Sequence, residues 1–382
     1  MILSTRGRLV VAIAVAAAVV LTGPLIGGVR SWLRSSLTGD YRLVINMAMA
    51  VAVAAALAAA VRRIRIARVT RFAAIAGAIS VAAVFAYLTR SGNPDVDAVE
   101  RFHFVEYAAV TWLFYRAWIH HRDLSTLALP VVMTFIAGVA DEAFQWFVPG
   151  RVGEWRDLGI NLAAIASGLL FSVALDPPGA LRWRVLPASR RATGIIIAAA
   201  ALVIAGFLHL VHAGVVVRDV EVGDFTSRYS EEALLALARD RHELWRTDPP
   251  PMTLQRYSRE DQYRSEGVIH IRRRNACWAL NGRTAWRENI ILEKFYGPVL
   301  DTPGWDTPEA SRWPPEQRSD LARRIGSLPL RAPCNPEVPE PWLFLWSPRW
   351  LWIGAGVVAA LGLWLARRFP GSSANASWPA SV

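Results

Sequence analysis

Long apolar runs, separated by short arginine-rich stretches, fill the chain up to residue 212 and return near its C-terminus. A helix needs roughly 20 apolar residues to cross a bilayer core about 30 Å thick. Several runs reach that length, so the pattern predicts an all-α membrane helix bundle with about eight spanning helices. The predicted spans cover residues 9–26, 43–61, 72–88, 104–119, 127–147, 158–175, 193–212 and 351–365.

The first and last runs carry distinctive flanking residues. The first follows Arg6 and Arg8 and resembles the apolar region of a signal peptide. It is long and has no clear small-residue cleavage site, so we expect a retained helix. The last follows a tryptophan-rich stretch that includes Trp346 and Trp350, which is typical of a membrane interface.

Arginines are distributed unequally between the predicted loops. Alternate loops, beginning with the N-terminal segment, hold roughly twice as many arginines as the short loops between them. Because positive charge is retained on the cytoplasmic side, both termini are predicted to be cytoplasmic in a plasma-membrane protein. The long segment 213–348 is then extracytoplasmic.

Residues 213–348 are polar, and we expect them to form an α+β extracytoplasmic domain between helices seven and eight. Residues 230–246 have helical spacing with Ser230 as N-cap, and residues 283–296 also favour a helix. Residues 267–272 alternate as a short strand does. His242 and His270 lack neighbours at metal-ligand spacing, and we expect structural roles for both.

Both cysteines of the chain, Cys277 and Cys334, lie in this segment. A pair in an oxidising exterior is a reasonable disulfide, so we predict that they are bonded.

Composition agrees with a membrane protein. Charged residues make up 19% of the chain, whereas soluble domains carry about 25%. The net charge of +11 does not indicate nucleic-acid binding, because the excess lies in short loops between apolar runs.

We divide the chain into residues 1–92 (helices one to three), 93–178 (helices four to six), 179–212 (a loop and helix seven), 213–348 (the exterior domain) and 349–382 (helix eight and a tail).

Polar residues interrupt the apolar pattern in three places, at residues 100–107, 141–145 and 151–161, all on the predicted outer side. Ionisable residues in membrane helices are costly unless they are paired or hydrated, and they often mark function. The helical spacing groups them on shared faces, with Glu106 expected to point away from His103. The predicted ligand-binding residues are Glu100, His103, Tyr107, Asp141, Glu142, Gln145, Arg151, Asp157 and Asn161.

Further along helix six, Ala164 and Gly168 lie on the same helix face as Asn161. Because these residues are small, we expect this face, the Gly168 stripe, to allow a neighbouring helix to pack closely.

This order of motifs resembles the VanZ-like family. The matching elements, within residues 95–175, are His103-Phe104 with Tyr107, then Asp141, Glu142 and Gln145, then Pro149-Gly150-Arg151, and finally Asp157 with Asn161. Many members carry an Asp-Lys pair ahead of the histidine, where this chain has Val99 and Glu100. The resemblance implies a small bundle of membrane helices and a link to low-level resistance to a glycopeptide antibiotic, teicoplanin.

Three functions agree with these residues. The first is an outer-face site that binds or shields an envelope molecule, which would be a lipid headgroup, a cell-wall precursor or a glycopeptide; Arg151 would meet an anionic group. The second is a scaffold whose polar groups tie helices together while the exterior domain recruits a partner.

The third function is a hydrolase or transferase acting on a lipid-linked substrate, with His103 as general base. Asp141 and Glu142 are further catalytic candidates, and they would tune that base or, with Asp157, hold a divalent cation. No hydrolase signature accompanies them, and the pattern assigns neither a cofactor nor a metal site. Individual charged residues at helix ends also agree with simple interfacial anchoring.

Overall fold

The computed structural model describes residues 4–36, 41–90, 94–148, 155–248, 262–278, 281–302, 311–327 and 343–368. Contacts within the chain divide it into two units. The first, which we call the membrane unit, comprises Met1–Phe144, Glu154–Phe207 and Arg349–Val382. The second, which we call the inserted unit, comprises Gln145–Gly153 and Leu208–Pro348.

Long apolar helices build the membrane unit. They are α1 (Thr5–Ser36), α2 (Tyr41–Arg63), α3 (Arg68–Leu88), α4 (Pro94–Trp118), α5 (Ser125–Gln145), α6 (Trp155–Leu175), α7 (Pro187–His212) and, after the inserted unit, α13 (Pro348–Arg368). Within the described ranges, seven of these are long and apolar enough to cross a membrane, all except α4. The chain is therefore a multi-pass membrane protein.

Helix α4 covers nearly all of the span predicted at residues 104–119, but it is less apolar than the other long helices. It carries charged residues such as Asp97 and Glu106, and it packs against α1, α2, α3 and α6. Tyr107, Phe114 and Tyr115 on this helix are buried. Because neighbouring helices enclose α4, it needs less apolar surface than a lipid-facing helix. The eighth span stays a prediction.

Glycines allow two pairs of helices to approach closely. A Cβ added to Gly168 of α6 would lie 2.6 Å from the Cα of Ala108 on α4. A Cβ on Gly194 of α7 would lie 2.2 Å from the carbonyl oxygen of Gly362 on α13. Small residues permit this backbone contact in membrane helices. The predicted close packing along the Gly168 stripe is confirmed.

One end of α6 is fixed by arginines from three helices. Asp176, just beyond α6, pairs with Arg63 at 3.0 Å and with Arg116 at 3.5 Å. Arg71 donates from Nε to the carbonyl oxygen of Ala174 at 2.6 Å. Cations favour the C-terminus of a helix, where carbonyl groups lack intrahelical partners.

Asp123 ties the beginning of α5 to the segment that precedes α7. Its buried carboxylate accepts hydrogen bonds from the backbone N–H of Ser125 at 3.1 Å and of Leu186 at 2.8 Å. Burial by itself would raise the pKa of Asp123, but the hydrogen bonds from Ser125 and Leu186 outweigh it and lower the pKa. No pattern in the sequence singled out this residue.

The inserted unit is mainly helical. Its strands β1 (Val215–Val217) and β2 (Phe225–Ser227) pair antiparallel, with Val216 opposite Thr226. Its helices are α8 (Glu231–Thr247), α9 (Gln262–Cys277), α10 (Gly282–Phe295), α11 (Gly297–Leu300) and α12 (Pro315–Arg324). The core lies between α8, α9, α10 and α11 and includes Leu234, Tyr263, Leu292 and Phe295.

The two helices predicted in this unit are confirmed. Ser230 caps α8 by accepting from the backbone N–H of Ala233 at 3.3 Å. Asn281 caps α10 by accepting from the N–H of Thr284 at 3.1 Å. Capping side chains replace the missing acceptors at a helix N-terminus.

The strand predicted at residues 267–272 is wrong, because these residues belong to α9. Tyr263, Gly267 and Ile271 are all buried and recur every four residues, which is the spacing of one helical face. A Cβ on Gly267 would lie 2.9 Å from Val299, so the glycine allows α9 to pack closely there. Tertiary packing thus outweighs a short alternating pattern. The predicted α+β character of this unit is not confirmed.

Cys277 lies at the end of α9, fully buried beside Ala285 and Trp313. Cys334 lies outside the described residues. The predicted Cys277–Cys334 disulfide therefore stays a prediction.

Candidate functional site

Helix α4 presents His103 and Tyr107 one turn apart on the same face. Their ring centroids are 5.8 Å apart. His103 Nδ1 lies 3.3 Å from Glu106 Oε2. The expectation that Glu106 points away from His103 is wrong, since residues three apart on a helix are neighbours.

Helix α5 contributes Asp141, which contacts α4 through Tyr107. The Tyr107 hydroxyl donates to Asp141 Oδ2 at 3.1 Å, and both side chains are buried. Asp141 is also close enough to His103 to interact with it electrostatically. Glu142 is buried next to Asp141, and Gln145 is buried one turn further along α5.

Helix α6 contributes Asn161 and Asp157. Asn161 is 1% exposed and faces Gly138 of α5, where an added Cβ would lie 3.0 Å from Asn161 Nδ2 and 3.4 Å from Tyr107 Cε1. The absence of a side chain at Gly138 lets the amide approach α4 and α5. Asp157, one turn earlier, interacts electrostatically with His103.

Among the atoms of this group that are buried without a hydrogen bond in the part of the chain that the structure describes are Asn161 Nδ2 and Asp157 Oδ1. A buried polar atom left unsatisfied costs roughly 1–3 kcal/mol. Such atoms are rare in folded proteins and point to a missing partner such as water or a ligand.

The structure therefore brings together five of the predicted residues from three helices. They are His103, Tyr107, Asp141, Asp157 and Asn161, and with Glu106 we call them the polar site. The side chain of Glu100 and all of Arg151 lie outside the described part of the chain. That the polar site binds a ligand stays a prediction.

The chemistry of the polar site is dominated by hydrogen-bond acceptors. Glu106, Asp141 and Asp157 supply carboxylates, against which His103 supplies one imidazole. An ionised carboxylate only accepts hydrogen bonds, and in a low-dielectric bundle it favours a cationic or donor-rich partner. Among the described residues, no three His, Cys, Asp or Glu side chains are arranged to hold a metal ion.

No protein-family model, curated protein or solved structure matches this chain. The similarity to VanZ-like proteins rests on the sequence motifs alone.

Proposed function

We propose that this chain is a VanZ-like membrane protein that binds the polar head of an envelope molecule at the polar site. The observation that carries the proposal is a pair of buried atoms that the described residues leave without a hydrogen bond, Asn161 Nδ2 and Asp157 Oδ1. Asn161 Nδ2 lies near Tyr107, whose hydroxyl donates to Asp141, and Asp157 lies one helical turn before Asn161 on α6, so the site offers both a donor and acceptors to an incoming group.

The excess of carboxylates favours a ligand that carries an ammonium group. A primary ammonium supplies three N–H donors, which match the acceptors of Asp157, Asp141 and Glu106. A lipid headgroup, a cell-wall precursor or a glycopeptide can each present such a group. Arg151 remains the candidate for an anionic part of the same ligand, on sequence grounds.

In this proposal, the polar site lies at the outer face of the plasma membrane. Support comes from the arginine distribution, which favours cytoplasmic termini and an exterior location for residues 213–348. The Asp176 cluster agrees with this orientation, because it collects Arg63, Arg71 and Arg116 at the end of α6 that would face the cytoplasm.

The test uses the full-length chain in detergent micelles doped with one phospholipid at a time. Phosphatidylethanolamine carries a primary ammonium, phosphatidylcholine has the same charge but no N–H donor, and phosphatidylglycerol has no amine. We expect phosphatidylethanolamine to raise the thermal unfolding midpoint in a saturable manner and more than the other two lipids.

Asp157→Asn should abolish that lipid-dependent rise. Asp176→Asn is the matched control, because it makes the same chemical change at the other end of α6, outside the polar site. Asp176→Asn should lower the midpoint while retaining the response to phosphatidylethanolamine. Equal responses to all three lipids, or an unchanged response in Asp157→Asn, would contradict the proposal.

A scaffold is the second candidate, and the Tyr107–Asp141 hydrogen bond favours it because it joins α4 to α5. If the chain is a scaffold, Tyr107→Phe should lower the thermal unfolding midpoint, and no lipid headgroup should change that midpoint. The lipid comparison therefore separates the two functions.

A further inference from the structure

The connection between α2 and α3 is rich in arginine. Five arginines lie within ten residues, at positions 62, 63, 65, 68 and 71. Both helices are long and apolar enough to cross a membrane, so the short segment that joins them lies at one surface of the bilayer. We call residues 61–71 the arginine turn.

Two of these five arginines serve the fold. Arg63 pairs with Asp176 at 3.0 Å, and Arg71 donates from Nη2 to the carbonyl oxygen of Leu175 at 2.5 Å. Asp176 also pairs with Arg116 at 3.5 Å. This carboxylate is therefore already shared by two cations, and it does not neutralise the rest of the arginine turn.

The other three arginines are not used by the fold. Arg62, Arg65 and Arg68 are exposed and make no hydrogen bond or ion pair with the part of the chain that the structure describes. Six residues of chain span at most roughly 20 Å, so these three charges lie within a small area of the membrane surface. A guanidinium group is always charged, and its planar set of donors matches a phosphate.

Exposed apolar side chains alternate with these arginines. Ile66 is 79% exposed and Val69 is 84% exposed. In water such exposure gains nothing, whereas at a bilayer surface the apolar side chains contact the acyl boundary and the arginines extend to the headgroup phosphates. The combination favours a lipid surface over a soluble acidic partner.

The backbone of the arginine turn is held in one shape. Ile64 is buried and packs with Ala60 and Ile75. Ala67 has a φ of 50°, a left-handed conformation that is uncommon for a residue with a side chain. Its carbonyl oxygen accepts from the Thr70 hydroxyl at 3.1 Å. Because the backbone is already ordered, binding at this turn requires little further ordering.

We propose that the arginine turn binds an anionic phospholipid whose headgroup carries two phosphates, as cardiolipin does. One phosphodiester carries a single negative charge, so two phosphates match three free guanidinium groups better. This lipid site is separate from the polar site. Asp157 of the polar site lies near the beginning of α6 and Asp176 just beyond its end, roughly 30 Å away along the helix axis.

The test is native mass spectrometry of the detergent-solubilised full-length chain, which counts bound lipid molecules as the lipid concentration is raised. Cardiolipin has two phosphates, phosphatidylglycerol has one, and phosphatidylcholine has one that its choline balances. We expect cardiolipin to bind about fivefold more tightly than phosphatidylglycerol and phosphatidylcholine to bind most weakly. Cardiolipin binding as weak as that of phosphatidylcholine would overturn the proposal.

The double variant Arg65→Gln with Arg68→Gln should weaken cardiolipin binding about fivefold per arginine, which is about 25-fold in total. It should keep the thermal unfolding midpoint of the lipid-free chain, because neither side chain contacts the rest of the fold.

The matched control is Arg367→Gln with Arg368→Gln, which removes the same charge from exposed positions at the end of α13. Its cardiolipin binding should stay within about twofold of the unmodified chain. Equal losses in the two double variants would show that diffuse surface charge alone attracts the lipid, and would overturn the proposal. Unchanged binding in Arg65→Gln with Arg68→Gln would overturn it as well.

Discussion

Two buried carboxylates of the inserted unit and two buried polar groups of the membrane unit have different surroundings. In the inserted unit, Glu266 and Glu288 each contact at least three donors. In the membrane unit, Asp157 Oδ1 and Asn161 Nδ2 are buried without a hydrogen bond among the described residues. Satisfied networks stabilise a fold, whereas unsatisfied groups destabilise it. The difference suggests that the polar site is retained for binding at the expense of stability.

The apolar residues of the two units differ in the opposite sense. The inserted unit buries its large apolar side chains, such as Leu292 and Phe295, in one core. The membrane unit exposes many of its own, including Val51 and Leu361. Lipid solvates apolar side chains, so the helices of a bundle associate through close packing and polar contacts instead of apolar burial.

The largest effect is expected where helices touch through backbone atoms. Gly168→Leu places side-chain atoms against Ala108, whose Cα lies 2.6 Å from the site of an added Cβ. Backbone atoms cannot rotate away, so we expect a loss of at least about 3 kcal/mol or failure to fold. The size-exclusion profile and the thermal unfolding midpoint, both recorded in detergent, measure this effect.

Gly77→Leu is the matched control, because nothing lies within 4 Å of a Cβ at Gly77. It should behave as the unmodified chain does. Similar losses in both variants would show that the α4–α6 contact is not the cause of the loss in Gly168→Leu.

The second largest effect tests the saturated network of the inserted unit. Glu288→Gln removes the charge that His270, Arg273 and Arg287 share. Hydrogen bonds to charged groups contribute about 1.5–3 kcal/mol, but the two arginine side chains are 33% and 34% exposed. We therefore expect a loss of about 2 kcal/mol, measured by tryptophan fluorescence during unfolding. Glu232→Gln, on an exposed position of α8, should change the free energy of unfolding by less than about 0.5 kcal/mol.

The third effect has the opposite sign and concerns the polar site. Asn161→Leu keeps the number and branching of the side-chain heavy atoms and removes a buried donor for which the described residues offer no hydrogen-bond partner. We expect the free energy of unfolding in plain detergent to be unchanged or raised by about 1 kcal/mol. A loss as large as that of Glu288→Gln would indicate that Asn161 has a structural role.

The smallest effect is pH-dependent and arises in the inserted unit. Lys294 donates to Asp219 and lowers the pKa of this carboxyl. A lowered pKa stabilises the fold above the unfolded-state pKa, about 4, and that stabilisation is lost as pH falls through the folded-state pKa. The midpoint difference between the unmodified chain and Asp219→Asn should be constant from about pH 7 to 5 and shrink below about pH 4. Asp240→Asn on α8 is the matched control at an exposed position and should show no comparable difference.

The sequence was sufficient to predict most of the helices because bilayer spans and capping residues have strong local signals. Ser230 and the Gly168 stripe are examples in which the predicted contact exists. The strand prediction for residues 267–272 failed because an alternation over six residues cannot reveal the packing partner, Val299, against which Gly267 lies as part of a helix face. Asp123 was not anticipated, since its partner Leu186 lies 63 residues away along the chain.

The polar site was only partly predictable. Spacing placed His103 with Tyr107, and Asp157 with Asn161, on shared faces, because helical periodicity is a property of the sequence. That Tyr107 meets Asp141, and that Gly138 admits Asn161, depends on the relative rotation of three helices. The His270–Glu288 pair was missed for the same reason, since its partners belong to different helices.

The most direct test of the central claim is the response of Asn161→Leu to phosphatidylethanolamine. The thermal midpoint of this variant and of the unmodified chain is measured in micelles with and without the lipid. We predict a variant that is at least as stable as the unmodified chain without lipid and that no longer responds to it. A variant that is less stable, or that keeps the full lipid response, would contradict the claim that this buried amide is retained for binding.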